Sequence, residues 1–166
     1  MNDRPPPPKL GLSDAELAVL PTVFAADALK HQVVLVSGGA GGIGRAIAWL
    51  FARLGAHVAV VGRDQGKLDA LVAEMAARNL KTSAHVADIR EPDAVNALFD
   101  AVWVAQGRLD ILVNSAGGQF PQAAIDFSVK GWNTVINTNL NGTWCRRRPS
   151  AGATASIPAT SSTSWW

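Results

Sequence analysis

The residues best suited to chemistry lie in a glycine-rich stretch that reads SGGAGGIG, from Ser37 to Gly44. Gly38, Gly42 and Gly44 give it the spacing G-x-x-x-G-x-G. Such a turn lets the backbone approach an anion without interference from Cβ atoms, and amides at a helix N-terminus can then donate to that anion. The stretch joins an apolar run, VVLVS (33–37), to apolar residues at helical spacing. This context predicts a dinucleotide pyrophosphate site and disfavours a merely flexible glycine loop.

The end of the next apolar run bears on the choice of cofactor. An acidic residue there would accept a hydrogen bond from the ribose 2′-hydroxyl of NAD(H), whereas a basic residue would bind the 2′-phosphate of NADP(H). The run HVAVVG (57–62) ends in Gly62, and Arg63 follows it. Because a planar guanidinium suits a phosphate, the sequence favours NADP(H) over NAD(H). The neighbouring Asp64 argues the other way, unless it caps the helix that begins there.

Strands and helices alternate along the chain from residue 32 onwards. Short apolar runs predict strands, and apolar residues at helical spacing predict the helices between them. This alternation predicts an α/β protein with a Rossmann-type, doubly wound parallel sheet. The predicted strands cover residues 33–37, 57–62, 82–88 and 110–114. The last predicted helix has apolar residues on one face, namely Val129, Trp132, Val135, Ile136, Leu140 and Trp144.

The composition fits one globular domain and argues against several classes of function. Of 166 residues, 48% are hydrophobic and 17% charged, as in globular proteins. The net charge of +2 and the lack of a broad basic face argue against nucleic-acid binding. A single cysteine and three scattered histidines predict no metal site. No apolar stretch is long enough to cross a membrane, so a cytoplasmic location is expected.

Three parts of the chain differ in pattern. Residues 1–31 are predicted to be an N-terminal arm with a short helix over about 14–20, because Ser13 and Glu16 form a capping-box pair. Residues 32–144 form the predicted NADP(H)-binding portion. Residues 145–166 lose the apolar periodicity abruptly, inside a helix, and are predicted to be unstructured. Out-of-frame translation after a frameshift would explain this break, and a genuine disordered tail is the alternative.

Two motifs together resemble the classical short-chain dehydrogenase/reductase family over about residues 32–144. That family has a T/S-G-x-x-x-G-I-G turn, which residues 37–44 match, including Ile43. It also has an N-N-A-G segment after the fourth strand, which NSAGG (114–118) matches with Ser115 in place of the second asparagine. Ser37 replaces the usual threonine of the turn.

The resemblance implies roles for further residues of the cofactor site. Asp88 matches the aspartate that meets the adenine amino group, and Ile89 would contribute its backbone and an apolar wall. From the residues alone, Asp88 could instead be a helix N-cap, because Pro92 falls in the next helical turn. Asn114, Ala116 and Gly117 match the segment that passes under the cofactor ribose.

Two longer segments resemble one branch of the family. NSAGGQF and SVKGWNTVINTNLNGTW are similar to segments of trans-2-enoyl-CoA and 2,4-dienoyl-CoA reductases, and bacterial citronellol-type dehydrogenases look similar too. The resemblance implies an NADP(H)-dependent short-chain oxidoreductase that acts on a small-molecule substrate. An enoyl-CoA is one substrate class that it suggests. A terpenoid or another alcohol or aldehyde is the alternative.

The family's proton-transfer residues are mostly missing from this sequence. Asn139 matches the helix asparagine of the family's catalytic set. The set also needs a serine and Y-x-x-x-K, and the chain contains no tyrosine. We therefore expect a sheet truncated after its fourth strand and fourth helix, in the order 3-2-1-4, without activity. A catalytically dead nucleotide-binding fragment, or an NADP(H)-sensing module, is the alternative to an enzyme. In that family the fourth helix contributes to the interface of homo-oligomers, so the truncation is expected to disturb assembly.

Overall fold

The computed structural model describes residues 11–145, which contain a four-stranded parallel sheet. Its strands are β1 (Val33–Ser37), β2 (His57–Gly62), β3 (Thr82–Val86) and β4 (Ile111–Asn114). They lie in the order β3-β2-β1-β4, and every pairing is parallel. This arrangement confirms the α/β class and the predicted strand order. All four carboxyl ends therefore meet at one edge of the sheet, where open α/β folds bind their ligands.

Helices connect the strands and follow the last one. They are α1 (Asp14–Val19), α2 (Gly42–Arg53), α3 (Gln65–Ala76), α4 (Pro92–Gln106), α5 (Val129–Ile136) and α6 (Gly142–Cys145). A 3-10 turn covers Ala124–Asp126, and a π-helical turn covers Asn137–Asn141. None of the helices within residues 11–145 is long and apolar enough to cross a membrane. The predicted tail lies outside the described residues, except that Cys145 ends α6.

Strand β1 lies between β2 and β4, and all five of its residues are buried. Val34 and Val36 face a cluster that includes Trp49 of α2 and residues of α3, whereas Val33 and Leu35 face a cluster with α4. A strand covered on both faces has no solvent side, which explains why its sequence is continuously apolar. The glycine turn that follows β1 is therefore anchored to the most buried part of the sheet.

The N-terminal helix α1 packs against α2. Its capping box is present, since the Glu16 amide donates to Ser13 Oγ (3.3 Å) and the Ser13 amide donates to Glu16 Oε2 (2.7 Å). Asp14 Oδ1 accepts from Trp49 Nε1 at 2.6 Å, and Asp14 Oδ2 lies 3.3 Å from Arg45 Nη1. Leu17 is buried in the same cluster as Trp49. Part of the predicted N-terminal arm thus contributes to the core.

The segment predicted as one continuous helix up to Trp144 is divided by the π-helical turn. A π turn spaces hydrogen-bonded residues differently from an α-helix, so residues after it are rotated relative to those before it. Val129, Trp132 and Leu140 are 76%, 59% and 62% exposed, and α5 has no buried residue. The side chain of Trp144 lies outside the described part. The predicted apolar residues therefore form a surface that the described residues leave largely uncovered.

Two histidines on the neighbouring strands β2 and β3 share one hydroxyl group. His57 Nε2 of β2 and His85 Nε2 of β3 each lie 3.2 Å from Ser83 Oγ. Burial lowers the pKa of both imidazoles, and the charges of His85 and Lys81 lower the pKa of His57 further. The folded protein therefore favours the neutral rings.

We expect the protein to lose stability as the pH falls from 7.5 to 5. Because the folded-state pKa of each ring is below its ordinary value of 6.5, the stabilising effect is complete above that value. It declines as the unfolded chain takes up protons that the folded protein excludes. Urea unfolding across this pH range measures the effect, and His57→Gln/His85→Gln should flatten the dependence. An equally steep dependence in that double variant would show that other groups cause it.

Candidate dinucleotide-binding site

A cavity of about 570 Å³ opens at the carboxyl ends of the four strands. Residues at or just after the end of each strand line this cavity, and residues of α5 and of the π-helical turn close one side of it. The lining residues are Gly38, Gly41, Val61, Gly62, Arg63, Ala87, Asp88, Ile89, Arg90, Ser115, Ala116, Gly117, Gly118, Gln119, Phe120, Thr134, Val135 and Thr138. The volume is in the range of small-molecule and cofactor sites.

The glycine turn brings the backbone close to the cavity. Gly38 has φ +68°, and a Cβ atom there would lie 2.9 Å from the Cα of Ala116. Gly42 has φ +46°, a conformation that L side chains rarely adopt. The first α2 backbone bond runs from the Arg45 amide to the Gly41 carbonyl at 3.1 Å. The amides of residues 42–44 therefore precede the helical hydrogen-bond ladder and can bind an anion.

We expect Gly44→Ala to lower the free energy of unfolding by about 1–3 kcal/mol, a typical cost of overpacking. A Cβ atom at Gly44 would collide with the carbonyl oxygen of Gly38, and it would lie 3.0 Å from Ser115 Oγ. Urea unfolding followed by circular dichroism measures the loss. Gly66→Ala is the matched control, because Gly66 is also in a helical first turn and its Cβ would meet only Asp64 Oδ1 at 3.6 Å. Equal stabilities of the two variants would contradict the steric argument.

Ser37 and Asn114 are not among the residues that line the cavity. Ser37 is fully buried, and its hydroxyl accepts from the amides of Ser115 (3.1 Å) and Ala116 (3.2 Å). The same hydroxyl donates to the carbonyl of Val113 at 3.2 Å. Asn114 ends β4 in register with Ser37. In this structure Ser37 therefore fixes the loop after β4 to the end of β1, and this loop supplies Ala116 and Gly117 to the cavity.

Asn139 holds the next part of that loop. Its Oδ1 accepts from the Gly118 amide (3.2 Å), and its Nδ2 donates to the Gly118 carbonyl (2.8 Å) and to the Val135 carbonyl (2.9 Å). A Cβ atom on Gly117 would lie 2.5 Å from Asn139 Oδ1, so the loop can only approach this amide at a glycine. Asn139 is in the π-helical turn, which was not predicted because no residue pattern marks it. The side chain of Ile43, which belongs to the glycine-turn motif, points away from the core and is 76% exposed.

The end of β2 presents Arg63 to the cavity and turns Asp64 away from it. Asp64 is the N-cap of α3, where its Oδ1 accepts from the Lys67 amide at 3.1 Å. Its other oxygen lies 3.3 Å from Lys67 Nζ. Of the two roles that the sequence left open for Asp64, the structure shows the helix cap. The charged side chain that lines the cavity at this point is therefore the cationic one.

The end of β3 carries an ion pair that was not predicted from the sequence. Asp88 accepts from Arg90 Nε at 2.9 Å and from Arg90 Nη2 at 2.5 Å, and the Arg90 amide also donates to it at 3.0 Å. These hydrogen bonds, aided by the charge of Arg63, lower the pKa of Asp88 to about 2. The signal in the sequence was an arginine two residues after the aspartate. The alternative reading of Asp88 as a helix N-cap was wrong, since the N-cap of α4 is Glu91.

Ile89 lines the cavity and packs against Gly142 at the start of α6. It is 6% exposed, and a Cβ atom on Gly142 would lie 3.0 Å from its Cδ1. Ile89 is thus tightly packed, and its contact with a cofactor stays a prediction. Among residues 11–145, no three His, Cys, Asp or Glu side chains are grouped closely enough to hold a metal ion. The donors suited to a ligand here are backbone amides, hydroxyl groups and the two arginines.

Parallel strands, the glycine turn and a cavity at the strand ends define the dinucleotide-binding half of a Rossmann-type fold. The chain belongs to the short chain dehydrogenase family, whose model matches residues 32–148. The match includes the glycine turn, the ion pair after β3 and Asn139.

Known proteins resemble the chain in sequence and structure. A peroxisomal 2,4-dienoyl-CoA reductase from Arabidopsis thaliana is 35% identical over 121 residues, which cover 73% of this chain and 41% of that protein. The structure of a citronellol catabolism dehydrogenase from Pseudomonas aeruginosa PAO1 is 38% identical, with a TM-score of 0.73, and covers 76% of this chain and 52% of that one. A metagenomic short-chain oxidoreductase in complex with NADP is 36% identical, with a TM-score of 0.69, over 75% and 57% of the two chains. The chain thus spans about half the length of these relatives.

Proposed function

We propose that this chain binds NADP(H) in the cavity at the strand ends, as the cofactor-binding part of a short-chain oxidoreductase. The observation that carries the proposal is the arrangement after β2, where Arg63 lines the cavity and Asp64 is bound to the first turn of α3. An acidic residue directed at the ribose would have favoured NAD(H) instead. The NADP complex of the metagenomic relative supports the same cofactor.

Each part of the cofactor would meet a different group of the site. The pyrophosphate would lie at the N-terminus of α2, near the amides of residues 42–44, and the adjacent ribose over Ala116 and Gly117. Adenine would lie between Asp88 and Ile89, and the 2′-phosphate beside Arg63. The nicotinamide supplies hydride chemistry when bound, and the protein contributes binding and orientation.

Titration of the full chain with NADPH and with NADH tests the proposal. We expect the dissociation constant for NADPH to be at least about tenfold lower, since a hydrogen-bonded charge contributes about 1.5–3 kcal/mol. Calorimetry gives both constants, and circular dichroism establishes that the sample is folded. Equal affinities would contradict the choice of cofactor. A folded chain that binds neither nucleotide would contradict the proposed function altogether.

We further propose that this chain binds the cofactor without turning it over. The 166 residues include no tyrosine, so the phenol that the family uses for proton transfer is missing. Asn139 is held in place by Gly118 and Val135, but the chain offers it no tyrosine phenol as a proton donor. An NADP(H)-sensing module is therefore the second candidate function.

A substrate screen separates the enzyme from the sensing module. The 2,4-dienoyl-CoA reductase relative supports unsaturated acyl-CoA thioesters as one substrate class to test, and the citronellol dehydrogenase supports a terpenoid alcohol or aldehyde. We expect no loss of NADPH absorbance with unsaturated acyl-CoA thioesters or aldehydes, and no gain of NADPH absorbance when NADP+ is supplied with alcohols. Sustained oxidation of NADPH by the thioesters or aldehydes, or sustained reduction of NADP+ by the alcohols, would show that the chain is an active enzyme.

A further inference from the structure

Three charged side chains meet at the end of the cavity where β2 and β3 finish. Arg63, Asp88 and Arg90 all line it, and Asp88 and Arg90 form an ion pair with side chains 23% and 37% exposed. Arg63 is near enough to act on the charge of Asp88. The proposed function gives a role to Arg63 and to Asp88 but none to Arg90.

We propose that Arg90 is a specificity-determining residue, which makes this end of the cavity selective for a 2′-phosphate by neutralising Asp88. The inference rests on the proposed function, because it concerns the cofactor of the same site. Selectivity for the 2′-phosphate would then depend on the sum of three charges and not on Arg63 alone.

The geometry of the ion pair supports a neutralising role. The guanidinium approaches Asp88 through two of its nitrogens, with Nε 2.9 Å from Oδ1 and Nη2 2.5 Å from Oδ2. Bidentate pairing of this kind fixes both groups in the plane of the carboxylate. Arg90 is therefore directed at Asp88 in the structure, and Arg63 is left to meet an incoming anion.

The charge balance shows why the pair should affect one cofactor more than the other. With Arg90 present, the two arginines and the aspartate sum to one positive charge. Without it they sum to zero, and an unpaired carboxylate would face the end of the cavity that receives the 2′-phosphate. Charges a few ångströms apart near a protein surface interact strongly enough to change affinity several-fold. NADH has no 2′-phosphate, so its affinity should change little.

Binding of NADPH and NADH to the full chain and its variants tests the inference. We expect Arg90→Gln to weaken NADPH binding by about 10-fold and NADH binding by less than about 2-fold. Arg90→Lys keeps the charge and should retain most of the selectivity. Arg90→Gln/Asp88→Asn restores a net single positive charge, and it should recover the wild-type ratio of the two affinities. Circular dichroism of each variant verifies the fold.

Arg108→Gln is a matched control. Arg108 pairs with Asp110 in the same way, with Nε 2.9 Å from Oδ2 and Nη2 2.6 Å from Oδ1 across two residues of sequence. This pair lies at the amino ends of the strands, away from the cavity, where Asp110 accepts a hydrogen bond from the Val33 amide at 2.8 Å. The control should leave the ratio of NADPH to NADH affinity unchanged.

The possible outcomes separate this inference from the proposed function. If the wild-type chain binds neither nucleotide, both fail. If the wild type prefers NADPH and Arg90→Gln keeps that preference, only the role of Arg90 fails. If Arg90→Gln loses the preference and the added Asp88→Asn does not restore it, Arg90 contacts the phosphate itself and the neutralising role is overturned.

Discussion

Replacing Trp49 with alanine is expected to lower the free energy of unfolding by about 3–5 kcal/mol, as for other large core truncations. Trp49 is fully buried in the cluster that joins α1, α2, α3 and the sheet. Its indole nitrogen donates to Asp14 at 2.6 Å, and the guanidinium carbon of Arg78 lies 5.4 Å from its ring centroid. The substitution would therefore open a cavity and leave Asp14 without one of its partners.

Urea unfolding at neutral pH measures the effect, and Trp132→Ala is the matched control. Trp132 is 59% exposed on α5, so its removal should change stability by less than about 0.5 kcal/mol. Because a domain of this size is stable by only about 5–15 kcal/mol, the Trp49 variant should be partly unfolded in mild denaturant. Similar losses in both variants would show that α5 is covered in solution and that Trp49 is not the dominant anchor.

Replacing Arg63 with serine is expected to weaken NADPH binding by roughly 10- to 100-fold. Arg63 lines the cavity after β2, whereas the acidic Asp64 beside it is bound to Lys67. Loss of the guanidinium would leave the 2′-phosphate without its nearest cation, and NADH affinity should stay within about 2-fold. Arg63→Lys keeps the charge without the planar fork and should fall between the two.

Calorimetric titration of each variant with both nucleotides measures this effect. Arg108→Ser, which removes an equal charge at the amino ends of the strands, is the control for a general change in net charge. Raising the salt concentration should reduce the wild-type preference, because an exposed charge pair is screened. Equal losses for NADPH and NADH in Arg63→Ser would mean that Arg63 maintains the fold of the site and not its selectivity.

Local sequence patterns were sufficient to predict the sheet and the glycine turn. The apolar run of β1 is continuous because both of its faces are buried, and such runs can be identified without knowing their partners. Position 38 requires a glycine because its φ is positive and because Ala116 approaches it closely. A glycine directly after the first strand meets both requirements, so the motif could be recognised from the sequence. The cap formed by Asp64 was also predictable, since capping depends on the next three residues.

Contacts between distant or variable segments were not predictable from the sequence. The hydrogen bond from Trp49 to Asp14 spans 35 residues, and nothing in either residue indicates the other. The composition of Asn137–Asn141 contains no pattern that distinguishes its π-helical turn from an α-helix. The Asp88–Arg90 pair is short-range, but a capping role was equally compatible with the sequence until the start of α4 was known.

The contact between Asn139 and the loop after β4 has an evolutionary consequence. Asn139 recognises the peptide N–H and C=O of Gly118, which any residue with a similar backbone would offer. The position at which a side chain would clash with Asn139 is one residue earlier, at Gly117. Gln119 and Phe120 line the cavity just beyond this contact, and they can therefore vary without loosening it. A lineage could in this way diversify the shape of its pocket by single substitutions while the supporting framework stays the same.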